Sequence, residues 1–237
     1  AAKNARDGDD RDMKHVSAHL DWQLNPSTSL SSKLYFNTYT DDRKVTFTSN
    51  PAGSAPRQRR MWDEDQTGLV TTLTWRASDA LVIDGGFNVE HQDNRYRRYR
   101  YAYAVPTDFS KPVSTSNDDS YTLRNLGAYV QAVIKPIDSL KIIPGFRADK
   151  FSGRTELHTT GATASLQDYG WISQPKFSVV YGVTPSTSVY ANWGRTFQIL
   201  TGSRAPAYLT PGQAEFRPSI NTGKEIGVKL KPLADTE

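Results

Sequence analysis

Two short stretches hold the side chains best suited to chemistry. "APRQRRMW" (55–62) and "NRYRRYRYAY" (94–103) interleave arginine with tryptophan and tyrosine, the second with four of each in ten positions. A guanidinium makes forked hydrogen bonds to carboxylate or phosphate, and aromatic rings add flat apolar surface. Arg57, Arg59, Arg60, Trp62, Arg98, Tyr99, Arg100 and Tyr101 are therefore candidate ligand-binding residues for an anionic, aromatic-bearing ligand. The same residue types suit nucleic acid, but 29 basic against 25 acidic side chains leave a net charge of only +4. The positive charge is local, and no nucleic-acid partner is expected. A third reading gives these arginines to the phosphates of a membrane surface.

Other chemistry finds little support. The chain has no cysteine, which excludes disulfides, thiolate metal sites and cysteine nucleophiles. Of the four histidines, only His15 and His19 are closely spaced, and in a strand they share a face too far apart for one metal ion. No G-x-S-x-G, P-loop or H-E-x-x-H motif occurs, and "DGGF" (84–87) reads as close packing within a strand. No enzyme, metal or cofactor is expected. An outer-membrane protease or phospholipase would need groups that converge only in three dimensions.

The elements that must position the arginines are strands. Two-residue alternation recurs in Val16, Ala18, Leu20, Trp22 and Leu24; in Leu30, Leu34 and Phe36; in Leu69, Leu73 and Trp75; and in Leu81, Ile83, Phe87 and Val89. It continues through Leu126, Ala128, Val130, Ala132 and Ile134; Leu140, Ile142, Phe146 and Ala148; Phe177, Val179, Tyr181 and Val183; Val189, Ala191 and Trp193; and Ile226, Val228 and Leu230. The opposite face carries Asp21, Gln23, Asp84, Asn88, Glu90, Gln131, Lys135, Arg147, Asp149, Glu225 and Lys229. This reads as about nine antiparallel strands of roughly 9 to 14 residues, a length suited to a tilted membrane crossing.

The links sharpen the class. Short ones at 25–29, 77–79, 136–138 and 184–187 alternate with long polar ones near 41–66, 91–123, 152–168 and 198–220. Transmembrane β-barrels are wired in this way, with short periplasmic turns and long external loops. Trp22, Trp75 and Tyr181 sit close to short turns on the apolar faces, where an interfacial aromatic girdle belongs. The fold class is all-β, an antiparallel transmembrane β-barrel segment. Two alternatives stay open: a non-gated porin-like channel, and a soluble β-sandwich binding acidic glycans.

The runs "IIPGFRADKF" (142–151), "SQPKFSVVYGVTPSTSVYANWGRTFQ" (173–198) and "SINTGKEIGVKLKP" (219–232) resemble, in this order, the barrel of TonB-dependent outer-membrane receptors. The resemblance implies a plugged barrel of about 22 strands. It also implies location in the bacterial outer membrane, contact with lipid and lipopolysaccharide, and uptake of a scarce ligand, foremost a ferric siderophore, energised by the TonB complex. Residues 1–237 then read as part of such a barrel with no plug domain, the TonB contact lying in N-terminal parts outside this chain.

Within that frame the register puts Tyr99, Tyr101 and Tyr103 outward and Arg98 and Arg100 toward the lumen, unless a bulge at Arg97/Arg98 moves the assignment. Glu225 and Lys229 point inward, and Gly227 beside them leaves room for whatever fills the lumen. Pro144 and Pro175, lacking a ladder donor, mark a bulge or a strand end.

Overall fold

The computed structural model describes residues 7–46, 57–101, 109, 111–166, 168–199 and 218–231. Ten strands form one antiparallel sheet: β1 (Gly8–Asn25), β2 (Thr28–Thr46), β3 (Arg57–Ser78), β4 (Leu81–Tyr101), β5 (Ser114–Ile137), β6 (Leu140–Leu157), β7 (Ala162–Ser165), β8 (Ile172–Thr184), β9 (Thr187–Gln198) and β10 (Ser219–Leu230). Nine of them follow chain order across the sheet, and β7 pairs with β6 beside this path. Among the described residues, β1 pairs only with β2 and β10 only with β9.

The four short links are two-residue turns at Pro26–Ser27, Asp79–Ala80, Asp138–Ser139 and Pro185–Ser186. Each is tied to the next strand by its second carbonyl. Ser27 O accepts from Arg76 N at 2.7 Å, Ala80 O from Lys135 N at 2.7 Å, Ser139 O from Gly182 N at 2.7 Å and Ser186 O from Lys231 N at 2.8 Å. This staircase of bonds satisfies turn carbonyls that would otherwise lack a partner near a membrane boundary.

One face carries the apolar residues in register. Leu34 lies opposite Leu69, which lies opposite Val89, which lies opposite Leu126. Farther along, Val130 meets Phe146, Phe146 meets Pro175, Phe177 meets Trp193 and Ala191 meets Ile226. These side chains are uncovered: Val89 is 47% exposed, Phe146 48% and Ile226 86%. Among the described residues only Tyr101 and Ile172 are buried hydrophobics. A sandwich would cover this face with a second sheet, and none is present among the described residues. Trp22, Trp75 and Tyr181 also stand exposed on it, near the two-residue turns, as a girdle requires.

Several expectations need correction. The sheet runs far into the stretches read as long links, with β3, β4 and β5 reaching 22, 21 and 24 residues. The link near 152–168 contains the end of β6 and all of β7, joined by a turn at Gly161 with φ 71°. There both faces are polar, so alternation disappears from the sequence while the backbone ladder continues. The prolines mark neither a bulge nor a strand end. Pro144 lies inside β6 opposite Phe177, where the ladder toward β5 skips Ala132 and Val133; Pro175 lies inside β8, before its pairing with β9 begins at Lys176. Each missing donor falls where a neighbouring ladder is interrupted.

Candidate ligand-binding face

The polar face is filled by side chains that lie flat along it. Tyr35 covers Gly68, Tyr129 covers Gly86 and Tyr190 covers Gly227, in each case across a strand pair, so a Cβ at any of these glycines would collide with the ring. Gly227 therefore makes room for Tyr190, its cross-strand neighbour, and the space read as open is taken. The tyrosine hydroxyls end on polar partners: Tyr35 donates to Glu90 at 2.5 Å, Tyr190 donates to Glu225 at 2.9 Å, and Tyr129 lies 2.7 Å from the Thr72 hydroxyl. An aromatic ring laid over a strand glycine replaces the packing that glycine lacks.

Between the tyrosines lies a network that spans four strands. Asp149, only 2% exposed, accepts from Arg147 Nε at 2.7 Å, Arg147 Nη2 at 2.6 Å, Gln174 at 2.6 Å and Asn125 at 3.3 Å. Arg147 reaches Asn88 at 2.6 Å, and Asn88 donates to Asn125 at 2.5 Å. Gly127 sits beneath these groups, and a Cβ there would strike Asn88, Asp149 and Arg147. A buried carboxylate holding four donors is fully satisfied and rigid. Sequence reading placed Asn88, Arg147 and Asp149 on this face without joining them, because their contacts cross strands. The glycine on a polar strand face was the available signal.

The eight candidate residues come together at the upper ends of β3 and β4. Arg57 pairs with Tyr101, Arg59 with Tyr99 and Arg60 with Arg98; Trp62 faces Tyr96 and Gln58 faces Arg100. The β3/β4 register runs unbroken from Arg76 to Arg57, and the extra residue is Ser116 on β5, not at Arg97/Arg98. Arg60, Trp62, Arg98 and Arg100 accordingly share the polar face. Arg57, Arg59, Tyr99 and Tyr101 lie on the face that carries the apolar band lower down, and Tyr103 lies outside the described residues.

On the polar face the register produces a row that sequence reading missed. Arg43 stands opposite Arg60, and Arg60 opposite Arg98, placing three arginines side by side across β2, β3 and β4. Like charges directly opposite destabilise a sheet unless something compensates them. Arg60 is engaged by Gln58 at 2.9 Å and Arg100 by the Ser116 hydroxyl at 2.9 Å, whereas Arg98 Nε is buried without a hydrogen-bond partner. Arg43 escaped notice because "DDRK" read as loop. The adjoining row is aromatic and acidic: the Trp62 and Tyr96 rings are 5.1 Å apart, flanked by Asp41 and by Asp119, which is 2% exposed. Burial raises the Asp41 carboxyl above its ordinary range.

On the other face ion pairs with neighbouring carboxylates are formed. Arg59 makes a forked pair with Asp42, both bonds at 2.8 Å, which holds the Asp42 carboxyl below its ordinary range. Tyr101 is buried against Phe109, ring centroids 5.0 Å apart, and that burial raises its phenol. His15 and His19 hydrogen-bond Asn37 and Ser17, and no group of three or more metal-ligating side chains is assembled among the described residues.

Comparison with known proteins agrees with this architecture. The family model described as TonB dependent receptor-like, beta-barrel matches residues 1–236. No curated protein matches the chain. Among solved structures, the ferric citrate transporter FecA in unliganded form superposes with a TM-score of 0.79 at 16% identity, covering 92% of this chain and 32% of that one. The siderophore receptor PiuA from Acinetobacter baumannii gives 0.74 at 14% identity, with 96% and 39% covered. The copper transporter OprC gives 0.71 at 15%, with 93% and 36% covered. This chain thus spans about a third of the length of those receptors, and identities this low show a shared fold alone. The chain belongs to the TonB-dependent receptor-like β-barrel family, and its place is the bacterial outer membrane.

Proposed function

We propose that the chain forms part of the barrel wall of an outer-membrane receptor that takes up a scarce anionic ligand with energy from the TonB complex, and that the ligand is a ferric siderophore. The observation that carries the ligand class is the cross-strand row Arg43, Arg60 and Arg98, with Arg100 one step beyond and the Trp62–Tyr96 ring pair beside it. Guanidinium groups attract and fork onto carboxylate, hydroxamate or catecholate oxygens, and the rings offer flat surface to aromatic chelating groups. The two-residue turns and the long links put this row at the external end, where ligand arrives. Arg57, Arg59, Tyr99 and Tyr101 occupy the other face, and in this reading they brace the strands that hold the row.

The test is uptake of ferric chelates under iron limitation by cells making the intact receptor, with Arg60, Arg98 and Arg100 replaced singly and together by Ala. A several-fold loss for one chelate, with receptor abundance in the outer membrane unchanged, is the expected result. Unchanged uptake of every chelate tested removes the arginines from ligand binding.

A further inference from the structure

Half-buried on the polar face of β3, four residues below Arg60, Glu64 makes neither a hydrogen bond nor an ion pair among the described residues. None of the residues around it in the register is basic. Trp62 is the next residue up this face, flanked by Asp41 and Tyr96; Tyr39 and Asn94 stand on either side of Glu64, and the row below holds only amides. Burial alone raises the Glu64 carboxyl above its ordinary range. A carboxylate left in this state opposes folding, and such groups concentrate where a ligand supplies the missing charge.

Two polar groups beside it are also short of a partner. Asn94, 7% exposed and directly opposite Glu64, has a buried Nδ2 with no acceptor, and Asp41, also 7% exposed, has a buried Oδ1 with no donor. The other Asp41 oxygen accepts from the Tyr39 hydroxyl at 3.0 Å and lies 3.5 Å from Arg11 Nε. Asp41 is opposite Trp62 and is therefore a diagonal neighbour of Glu64, with Cα atoms about 7–8 Å apart. The rings of Tyr39, Trp62 and Tyr96 border the two carboxylates. A cavity of about 600 Å³ opens beside Glu64, between Tyr39, Gln66, Met13 and His15.

We propose that Asp41, Glu64 and the rings of Tyr39, Trp62 and Tyr96 form a binding site for an organic ammonium group, carried by the same ligand whose anionic part meets the arginine row. Carboxylates accept the N–H groups of an ammonium, and ring faces attract its charge. No group of three or more metal-ligating side chains is assembled among the described residues, so the site suits an organic cation rather than a metal ion. Four residues of strand separate Glu64 from Arg60, which sets the two charges of the ligand about 13 Å apart. The ammonium site rests on the arginine row being where the anionic chelate binds, and adds that this chelate carries an amine at that reach.

The experiment measures binding of ferric hydroxamate, catecholate and carboxylate chelates to purified intact receptor in detergent, by quenching of tryptophan fluorescence. Each chelate is used as a pair, one member bearing a terminal primary amine on a spacer of that reach and the other with the amine acetylated. Wild type should bind the amine form of one pair about tenfold more tightly, and Glu64→Gln should bind both forms as wild type binds the acetylated one. Asp63→Asn, which removes the same charge from the other face, should keep the preference. Arg60→Ala combined with Arg98→Ala should weaken both forms equally. If that arginine variant binds as wild type does, or if no chelate binds, the ligand reading of the arginine row falls and the ammonium site with it. If the arginine variant weakens both forms while wild type does not distinguish amine from amide, or if Glu64→Gln keeps the distinction, only the ammonium site falls. Loss of the preference on adding calcium overturns the organic-cation assignment. The comparison on wild type decides the matter even where Glu64→Gln fails to fold.

Discussion

The lower and upper parts of the same strands are built on different principles. From Leu69 to Trp75 on β3, and from Leu81 to Val89 on β4, one face is apolar and the other polar, so a slip of one residue would turn charges toward lipid. Above Thr67 polar residues occupy both faces, so such a slip would turn no continuous apolar stripe away from lipid. Register there is held by specific pairs, Arg59 with Asp42, Arg97 with Asp63 and Arg95 with Asp118, and by the Trp62–Tyr96 contact. The lesson is that solvent type decides whether a strand is specified by a pattern or by partners.

That contrast can be broken most severely within the band. Ala128→Arg puts a charge on the lipid face between Phe87 and Ala148, and should cost about 2–4 kcal/mol of folding stability in vesicles, read by urea unfolding. Gln131→Arg, on the polar face of the same strand, should cost a small fraction of that. If the two variants unfold alike, the assignment of faces is wrong.

Next in size is the packing of the polar face. Gly127→Ala drives a methyl group into Asn88, Asp149 and Arg147 and should cost about 1–3 kcal/mol. Gly145→Ala serves as the control, because a Cβ there meets nothing closer than 3.7 Å. The melting temperatures of the two variants in detergent should separate clearly.

The upper part should yield smaller effects that depend on pH. Asp42→Asn removes a forked pair whose members are both partly exposed, and should cost about 1 kcal/mol at neutral pH. Because Arg59 lowers the Asp42 carboxyl, the stabilisation is complete above the ordinary carboxylate range and is lost as pH falls through the lowered value. The melting curves of variant and wild type should therefore converge in acid. Glu64 behaves in the opposite sense. Burial raises its carboxyl, so its ionised form opposes folding at neutral pH and this penalty disappears as pH falls. Glu64→Gln should melt slightly higher than wild type at neutral pH and equally in acid. Adding 1 M salt should shrink the Asp42 effect and leave the Ala128→Arg effect nearly unchanged.

The same division explains how much was legible from residues alone. Alternation from Val16 to Leu230 located the nine strands that follow chain order, though not β7, because lipid on one side imposes a two-residue period that any reader of the sequence can see. The two-residue turns followed from "NPSTS", "ASD", "PID" and "TPST". Missing from that view were the upper parts of β2, β3, β5 and β6, where alternation fades, and with them Arg43, which lay hidden in an apparent loop. Gly227 was recognised as inward-facing but not as the seat of Tyr190, since a contact with a residue 37 positions earlier needs the register of β9 against β10.

The sequence by itself determined the all-β class, the apolar band, the order of strands and turns, and the side of the sheet on which Arg98 and Arg100 fall, all of which follow from period and local chemistry. Only the tertiary structure decided which side chains meet across strands: the Asp149 network, the tyrosines over glycines, and the row of Arg43, Arg60 and Arg98. The reason is that a strand's own periodicity sets which face each residue occupies, whereas partners come from neighbouring strands whose alignment is fixed by the ladder as a whole.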